Sequence, residues 1–188
     1  MANFDLYKQT ALNFEGGYQS IVSDPGNYNS QNELVGTNNG ISAPFYEMII
    51  GHPPTVEDMK GITRKEASTL FKVHFWDKMR GDAITDQGVA ENIIDHGINS
   101  GPRDAGVIAQ RVLNLEFGKD LEVDGVIGPK TVAALNSIGD QKALFEKISY
   151  YRIKNYEEEA INPMWTRIWI NRVVMLGVKF GIAVKKKQ

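Results

Sequence analysis

Apolar residues recur every three or four positions along most of the chain, and this spacing predicts α-helices. In the first segment Phe4, Tyr7, Ala11 and Phe14 share one helical face. The adjacent glycines Gly16-Gly17 end that helix, because glycine favours the left-handed backbone that terminates helices. The sequence therefore predicts a first helix that ends close to residue 15.

The helical periodicity is lost in the next segment. Residues 19–42 are rich in Asn, Ser and Gly, and they predict a long polar loop or a small irregular hairpin. A loop of this length inside a compact domain usually has a function or is disordered. We therefore look for a functional site in or beside it.

Helical signals return after residue 54 and continue through the second half of the chain. Thr55 precedes one predicted helix, and Thr63 opens another through a capping box. Pro102 and Pro129 occupy first-turn positions of later helices. We predict a mainly α fold with a packed helical C-terminal half. The last two predicted helices are the longest, roughly Gln141 to Ala160 and Pro163 to Ala183.

Composition narrows the class of protein. With 188 residues, 42% of them hydrophobic, the chain suits one medium domain or a domain with a small partner packed on it. A net charge of -2 is too small to indicate nucleic acid. The absence of cysteine excludes disulfides and thiolate metal sites. The sequence leaves the oligomeric state open.

Membrane and metal signals are also missing from the sequence. No apolar run is long enough to span a bilayer, and the first residues lack the layout of a signal peptide. We expect synthesis in the cytoplasm without a signal peptide and no stable membrane insertion. His52, His74 and His96 lack the spacing of zinc ligands. We therefore expect no metal and no cofactor.

Glu15 is the first candidate for chemistry. A carboxylate at a helix C-terminus faces the negative end of the helix dipole, and the aromatic neighbours Phe14 and Tyr18 would remove water from it. Both effects favour the neutral acid, which is the form that a general acid needs to cleave a glycosidic bond. The alternative is that Glu15 only ends a helix.

Asp24 is the second candidate, in the turn Asp24-Pro25-Gly26. Glycoside hydrolysis commonly uses a pair of carboxyl groups with different roles. Asp-Pro-Gly is also a common turn without any catalytic role, so that alternative stays open.

Several motifs follow one another along the chain. They are E-G-G-Y at Glu15 to Tyr18, Asp24-Pro25-Gly26, Gly36 to Ser42, Thr63 to Asp77, Gly81-Asp82, Asp95 to Gly101, and V-D-G-V-I-G-P-K-T at Val123 to Thr131. In this order they resemble glycoside hydrolase family 108, an N-acetylmuramidase-like family with a lysozyme-like α-helical fold. The C-terminal half is similar to the predicted peptidoglycan-binding region that accompanies this family.

The resemblance covers nearly the whole chain and implies two regions. Residues 1–100 would be the lysozyme-like catalytic region, and residues 101–188 a helical peptidoglycan-binding-like region packed on it. Two features depart from the family pattern. Gln19 to Val22 replaces an Asn-Asp-Pro segment, and Asn27 to Val35 is an insertion. The polar loop is therefore expected to differ from that of other members.

The resemblance also implies an activity, which is cleavage of the β-1,4 bond between N-acetylmuramic acid and N-acetylglucosamine in peptidoglycan glycan strands. Glu15 would be the general acid and Asp24 the second catalytic group. Tyr18, Thr37 and Asn38 are candidate substrate-binding residues.

Asn99 is a further candidate for substrate binding. It lies one helical turn after Asp95, so the two side chains share a face. A buried polar pair that fixes neighbouring backbone is the interpretation we favour for them.

Other functions remain open at the level of sequence. A non-catalytic peptidoglycan-binding or secretion-assisting protein could use the same fold, and so could an intracellular helical interaction protein. A muramidase made without a signal peptide would act on the cell wall after release, for example through a holin-type pore.

Overall fold

A computed structural model describes residues 1–8, 16–158 and 163–184. Within these ranges the regular structure is helical, and β pairing is limited to isolated bridges. The predicted mainly α fold is confirmed. Residues 4–8 are helical, and the helices that follow are α1 Ala43–Ile50, α2 Val56–Gly61, α3 Arg64–Phe71, α4 Gln87–Ser100, α5 Pro102–Phe117, α6 Pro129–Asn136, α7 Gln141–Glu158 and α8 Pro163–Lys179.

The chain divides into two compact units. The loop unit is Asp5–Phe71, and the helical unit combines Met1–Phe4 with Lys72–Gln188. This geometric division falls near residue 72, whereas the sequence predicted a functional division near residue 100. The assignment of catalysis to residues 1–100 and of wall binding to residues 101–188 stays a prediction.

Local sequence chemistry accounts for the helix starts in the loop unit. The Thr55 side chain accepts from the backbone N–H of Asp58, and the Asp58 side chain accepts from the N–H of Thr55 in return. This capping box satisfies donors that a helix N-terminus otherwise leaves free. The helix before it, α1, ends at Gly51, which adopts φ 79°, a left-handed conformation that glycine tolerates.

The helical unit is organised around α4. Every residue from Gly88 to Gly97 is buried, and α4 packs against α5, α7 and α8. A helix that is buried on all sides belongs to the centre of a core rather than to its surface. The predicted boundary near residue 100 therefore falls between two helices, α4 and α5, that pack on each other.

The last helix closes this core with only part of its apolar stripe. Val173 and Leu176 are fully buried, whereas Ile168 in the same helix is 41% exposed. Periodicity identifies an apolar helix face but does not decide which neighbour covers it. Among the described helices, none is both long and apolar enough to cross a membrane.

Candidate functional site

Glu15 lies outside the described residues. The candidate site that the structure describes is the polar loop together with the three residues before it, residues 16–42. Two backbone pairings shape this loop. Gln19 and Thr37 exchange both of their backbone hydrogen bonds at 2.9 Å. Asn38 and Ile41 pair across a turn whose centre is Asn39 at φ 48° and Gly40 at φ 77°. Positive φ at both central residues is the pattern of a type I′ hairpin turn, for which Asn-Gly is favoured.

The segment from Asn27 to Val35, which the resemblance predicts to be an insertion, forms a small hairpin; the sequence predicted either a loop or a small hairpin for residues 19–42. Tyr28 and Leu34 form its antiparallel bridge. The Asn29 side-chain oxygen accepts from the backbone N–H groups of Gln31 and Glu33, both at 3.0 Å, and its amide nitrogen donates to the Glu33 carboxylate at 2.8 Å. One buried amide therefore holds the tip of the hairpin.

Asp24 is held at both carboxylate oxygens. Oδ1 accepts from the backbone N–H of Gly26 at 2.9 Å, and Oδ2 accepts from Gln19 Nε2 at 3.0 Å. The side chain caps the short 3-10 turn Pro25–Asn27. Each oxygen retains a free lone-pair direction, because a carboxylate can accept about four hydrogen bonds. The carboxylate thus has a fixed orientation and residual capacity to accept.

Asn27 completes this arrangement as a fully buried amide. It exchanges two hydrogen bonds with the Gln19 amide, at 2.8 and 3.0 Å, and also donates to the Ile21 carbonyl at 2.9 Å. Its backbone carbonyl accepts from Val35 and Gly36. A buried amide needs these partners, since an unsatisfied polar group would cost about 1–3 kcal/mol. The buried hydrogen bonds of Asn27 therefore stabilise the turn that contains Asp24.

Tyr18 lies half-buried in the same loop. Its hydroxyl donates to the Val35 carbonyl at 3.1 Å, and the Lys60 ammonium lies 5.1 Å from its ring centroid. Gly36 has φ +89°, and a Cβ there would lie 2.6 Å from the Tyr18 ring. Only glycine fits this close approach without strain, so the Tyr18 ring has a defined position.

Thr37 and Asn38 lie side by side but make different contacts. The Thr37 hydroxyl donates to the Gly26 carbonyl at 3.3 Å, and its oxygen can still accept. The Asn38 amide nitrogen approaches the carbonyls of Met59, Lys60 and Ile62 at 2.9 to 3.2 Å. Asn38 is only 6% exposed, and its side chain ties the loop to the end of α2.

The structure brings four predicted residues together in the loop unit and leaves Asn99 in the helical unit. Gln19 is hydrogen-bonded to both Asp24 and Thr37. The Tyr18 ring lies close to Gly36, and Asn38 directly follows Thr37. Asn99 Nδ2 lies 3.5 Å from the Tyr156 hydroxyl. The roles of these residues stay predictions.

The neighbour of Asn99, Asp95, belongs to a buried ionic cluster that sequence reasoning only partly anticipated. Arg152 and Arg172 each donate to one carboxylate oxygen of Asp95, at 2.8 Å. Desolvation works against the Asp95 carboxylate, but the two guanidinium groups outweigh it and lower its pKa. Asp95 is therefore a partner of two arginines that lie far along the chain.

His96 lies beside this cluster. Its ring is stacked on Tyr156 and its Nδ1 lies 3.1 Å from the Tyr156 hydroxyl. Burial, and then the nearby Arg152 charge, lowers the pKa of His96 to about 3. The ring is therefore neutral at physiological pH. Across the described ranges, no group of three His, Asp or Glu side chains could hold a metal ion.

The V-D-G segment of the helical unit is a loop fastened to α5. Gln110 donates to Asp124 at 2.7 Å and accepts from the Gly125 backbone at 2.8 Å. The Gln110 hydrogen bond, and then that of the Val126 N–H, lowers the pKa of the Asp124 carboxyl. The packing is close, because a Cβ on Gly106 would lie 2.1 Å from the Gly125 carbonyl oxygen. This segment is built into the helical unit.

Gln19 is the residue that sequence reasoning missed. It was noted only as part of a departure from the family pattern, yet it contacts Asp24, Asn27 and Thr37. The available signal was its position between E-G-G-Y and D-P-G, in a polar loop where an amide can satisfy several backbone groups at once.

Comparisons with known proteins agree with the resemblance read from the motifs. The model of the family described as Glycosyl hydrolase 108 matches residues 8–101. The model described as Predicted Peptidoglycan domain matches residues 104–174. The solved structure of Brucella abortus SagA has a TM-score of 0.80 and 23% sequence identity, covering 97% of each chain. No curated protein matches the chain in sequence. The predicted lysozyme-like helical fold and the order of the two regions are confirmed.

Proposed function

The chain belongs to the glycosyl hydrolase 108 family, and we propose that it cleaves the β-1,4 bond between N-acetylmuramic acid and N-acetylglucosamine in peptidoglycan, with Glu15 as the general acid. The two family matches make it a peptidoglycan-active, lysozyme-like protein. The bond that it cleaves and the identity of the acid are the part we propose.

One observation carries this proposal. The E-G-G-Y segment lies within the matched range, and the loop that follows it presents a carboxylate, Asp24, whose two oxygens are each fixed by one donor. A glycosidase needs a second carboxyl group with a defined orientation, because positive charge develops at the anomeric carbon in the transition state. A fixed Asp24 suits that requirement.

The residues of the loop suggest a division of roles. Glu15 protonates the leaving oxygen, and Asp24 faces the anomeric carbon or the attacking water with its free lone pairs. The Thr37 hydroxyl, beside Gly26, accepts a hydrogen bond from the same water or from a sugar. The Tyr18 ring offers an apolar face to a sugar ring, and Asn38, although only 6% exposed, is the proposed acceptor for a sugar N–H group through Oδ1.

We also propose that residues 101–188 contribute wall binding. The support is the match to a peptidoglycan domain over residues 104–174. In the V-D-G loop of this region Val123 and Val126 are 41% and 60% exposed, although both are apolar. Such side chains can pack on the apolar faces of sugar rings, so we place the wall contact there.

The experiment that tests the activity is digestion of purified peptidoglycan by the wild type and Glu15→Gln, with fragments identified by mass spectrometry. We expect the wild type to release fragments with N-acetylmuramic acid at the new reducing end. Loss of a general acid typically lowers the rate by about 10²–10⁴-fold, so Glu15→Gln should release almost none.

The matched control is Glu57→Gln, which makes the same change at an exposed position and should keep wild-type activity. A Glu15→Gln variant that digests walls as fast as Glu57→Gln would contradict the assignment of the acid. Wild type that binds walls without releasing fragments would favour the non-catalytic binding protein instead.

A further inference from the structure

The Gln19 side chain occupies the centre of the hydrogen-bond network around Asp24. Its nitrogen donates to Asp24 Oδ2 and to Asn27 Oδ1, both at 3.0 Å. Its oxygen accepts from the Ile21 backbone N–H and from Asn27 Nδ2, both at 2.8 Å. A side-chain amide has two donor hydrogens and two acceptor lone pairs, so all four are used.

This saturation determines which way the Gln19 amide points. The Ile21 N–H can only donate, and the Asp24 carboxylate can only accept. Exchanging the nitrogen and oxygen of Gln19 would therefore leave both groups without a partner. A single amide orientation satisfies the network, and it directs an N–H of Gln19 at Asp24.

Gln19 also fixes the neighbouring strand. Its backbone forms both hydrogen bonds with Thr37, at 2.9 Å, and the Thr37 hydroxyl donates to Gly26 in the Asp24 turn. The backbone of one residue therefore sets the position of Thr37, while its side chain sets the plane of the Asp24 carboxylate. In the sequence, Gln19 lies four residues after Glu15.

We propose that Gln19 is a positioning residue for glycan cleavage, which orients the Asp24 carboxylate by donating a hydrogen bond to Oδ2 and thereby determines the rate of the chemical step. This inference rests on the proposed function. Gln19 itself need not touch the glycan, because its contacts are with Asp24, Asn27, Ile21 and Thr37.

Two variants separate this role from general support of the loop. Gln19→Glu keeps an oxygen that can accept from Ile21 and Asn27, but it loses both donated bonds and sets a second carboxylate against Asp24. Gln19→Met loses all four bonds. The matched controls are Gln31→Glu and Gln31→Met, at an exposed glutamine in the same loop that donates to neither Asp24 nor Asn27.

The measurements are kcat and KM on soluble glycan fragments, the pH profile of kcat/KM, and thermal unfolding of each variant. We expect Gln19→Glu to lower kcat by about 10–100-fold with a change in KM below about threefold, since misplacement of a catalytic group acts on the chemical step. The acidic limb of the profile should move to higher pH, because two adjacent carboxylates tend to share a proton.

A double-mutant cycle tests whether the effect passes through Asp24. In an Asp24→Asn background, Gln19→Glu should cost less than about threefold in kcat, because coupled residues are non-additive. An equal loss in both backgrounds would overturn the inference, and so would Gln19→Glu activity equal to that of Gln31→Glu. If Gln19→Met unfolds, Gln19→Glu and its pH profile still give the answer.

These outcomes are distinct from failure of the proposed function. If the wild type releases no fragments, the proposed function is wrong and the inference falls with it. If the wild type is active and Gln19→Glu matches its Gln31 control, only the inference is wrong.

Discussion

The polar loop and the core of the helical unit are both held by hydrogen-bonded polar side chains, but of different kinds. In the loop, the neutral amides of Gln19, Asn27 and Asn29 satisfy backbone groups close to them in sequence. In the helical unit, the charged side chains of Asp95 and Arg152 join α4 to α7 across 57 residues.

The two regions therefore differ in what they tolerate. A side-chain amide carries no charge, so the amides of the loop contribute no charge to be desolvated, although their partners include the carboxylates of Asp24 and Glu33. A buried ion pair has strong attraction offset by a large desolvation cost, and removing one partner leaves an uncompensated charge. The helical core should therefore be sensitive to charge and pH, and the loop to backbone shape.

The largest effect should come from breaking the ionic cluster. Arg152→Met removes the bonds from this fully buried guanidinium to Asp95 and Asn92. Arg172 stays paired with Asp95, so the expected loss in the free energy of unfolding comes from the buried oxygens of Asp95 and Asn92 that lose their donor, at about 1–3 kcal/mol each. Tryptophan fluorescence during urea unfolding measures the stability of the helical unit, because Trp76, Trp165 and Trp169 all belong to it.

Lys154→Met is the control, since it removes a cation two residues further along the same helix. The Lys154–Glu158 pair is exposed and 3.5 Å apart, so its loss should cost less than about 0.5 kcal/mol. Similar losses from the two variants would remove the contrast between buried and exposed charge.

The next effect is acid destabilisation of the helical unit. His96 has a pKa of about 3 in the folded state and about 6.5 when unfolded. The unfolded chain therefore binds more protons between these values, so stability is complete above pH 6.5 and declines as the pH falls towards 3. At about 1.4 kcal/mol per pH unit, the loss at pH 4.5 is about 2–3 kcal/mol.

Glu91 acts in the opposite direction, because burial raises its pKa despite the hydrogen bonds from Lys179 and Gln87. It adds stability as the pH falls through that raised pKa and offsets part of the loss. His96→Phe should flatten the decline in urea unfolding between pH 7 and 4.5, whereas His52→Gln, at an exposed site, should not. An unchanged decline in His96→Phe would show that another group is responsible.

The smallest effect should come from the backbone of the loop. Gly36→Ala forces a side chain into φ +89° and towards the Tyr18 ring, and we expect a cost of about 1–3 kcal/mol confined to the loop unit. Amide hydrogen exchange of residues 16–42 measures it. Gly139→Ala is the control, because an added Cβ there has no atom within 4 Å; equal exchange in both variants would contradict the argument.

Local chemistry explains which parts of the fold were predictable. The helix starts at Thr55, Pro102 and Pro129 were predicted from caps and first-turn prolines, and the structure confirms them. These signals involve neighbours within one turn, so the sequence carries them completely. The exposure of Ile168 has no such local signal, because it depends on which neighbour covers each face of α8.

The candidate site divides in the same way. E-G-G-Y and D-P-G identify Glu15 and Asp24 as candidates, because each motif is a short pattern within a recognisable order. The role of Gln19 depends on a loop that brings Asp24 to its side chain and Thr37 to its backbone, and no short pattern encodes that arrangement. The catalytic roles themselves stay predictions.

The helical class, the helix starts and the family follow from the order of the residues, since they depend on spacing, short motifs and local hydrogen bonds. The pairing of distant polar groups, Arg152 with Asp95 and Gln19 with Asp24 and Thr37, follows from the folded chain. A buried polar group needs a partner, but its own residue type does not specify which one. The partner is whichever complementary group the packed chain brings within about 3 Å.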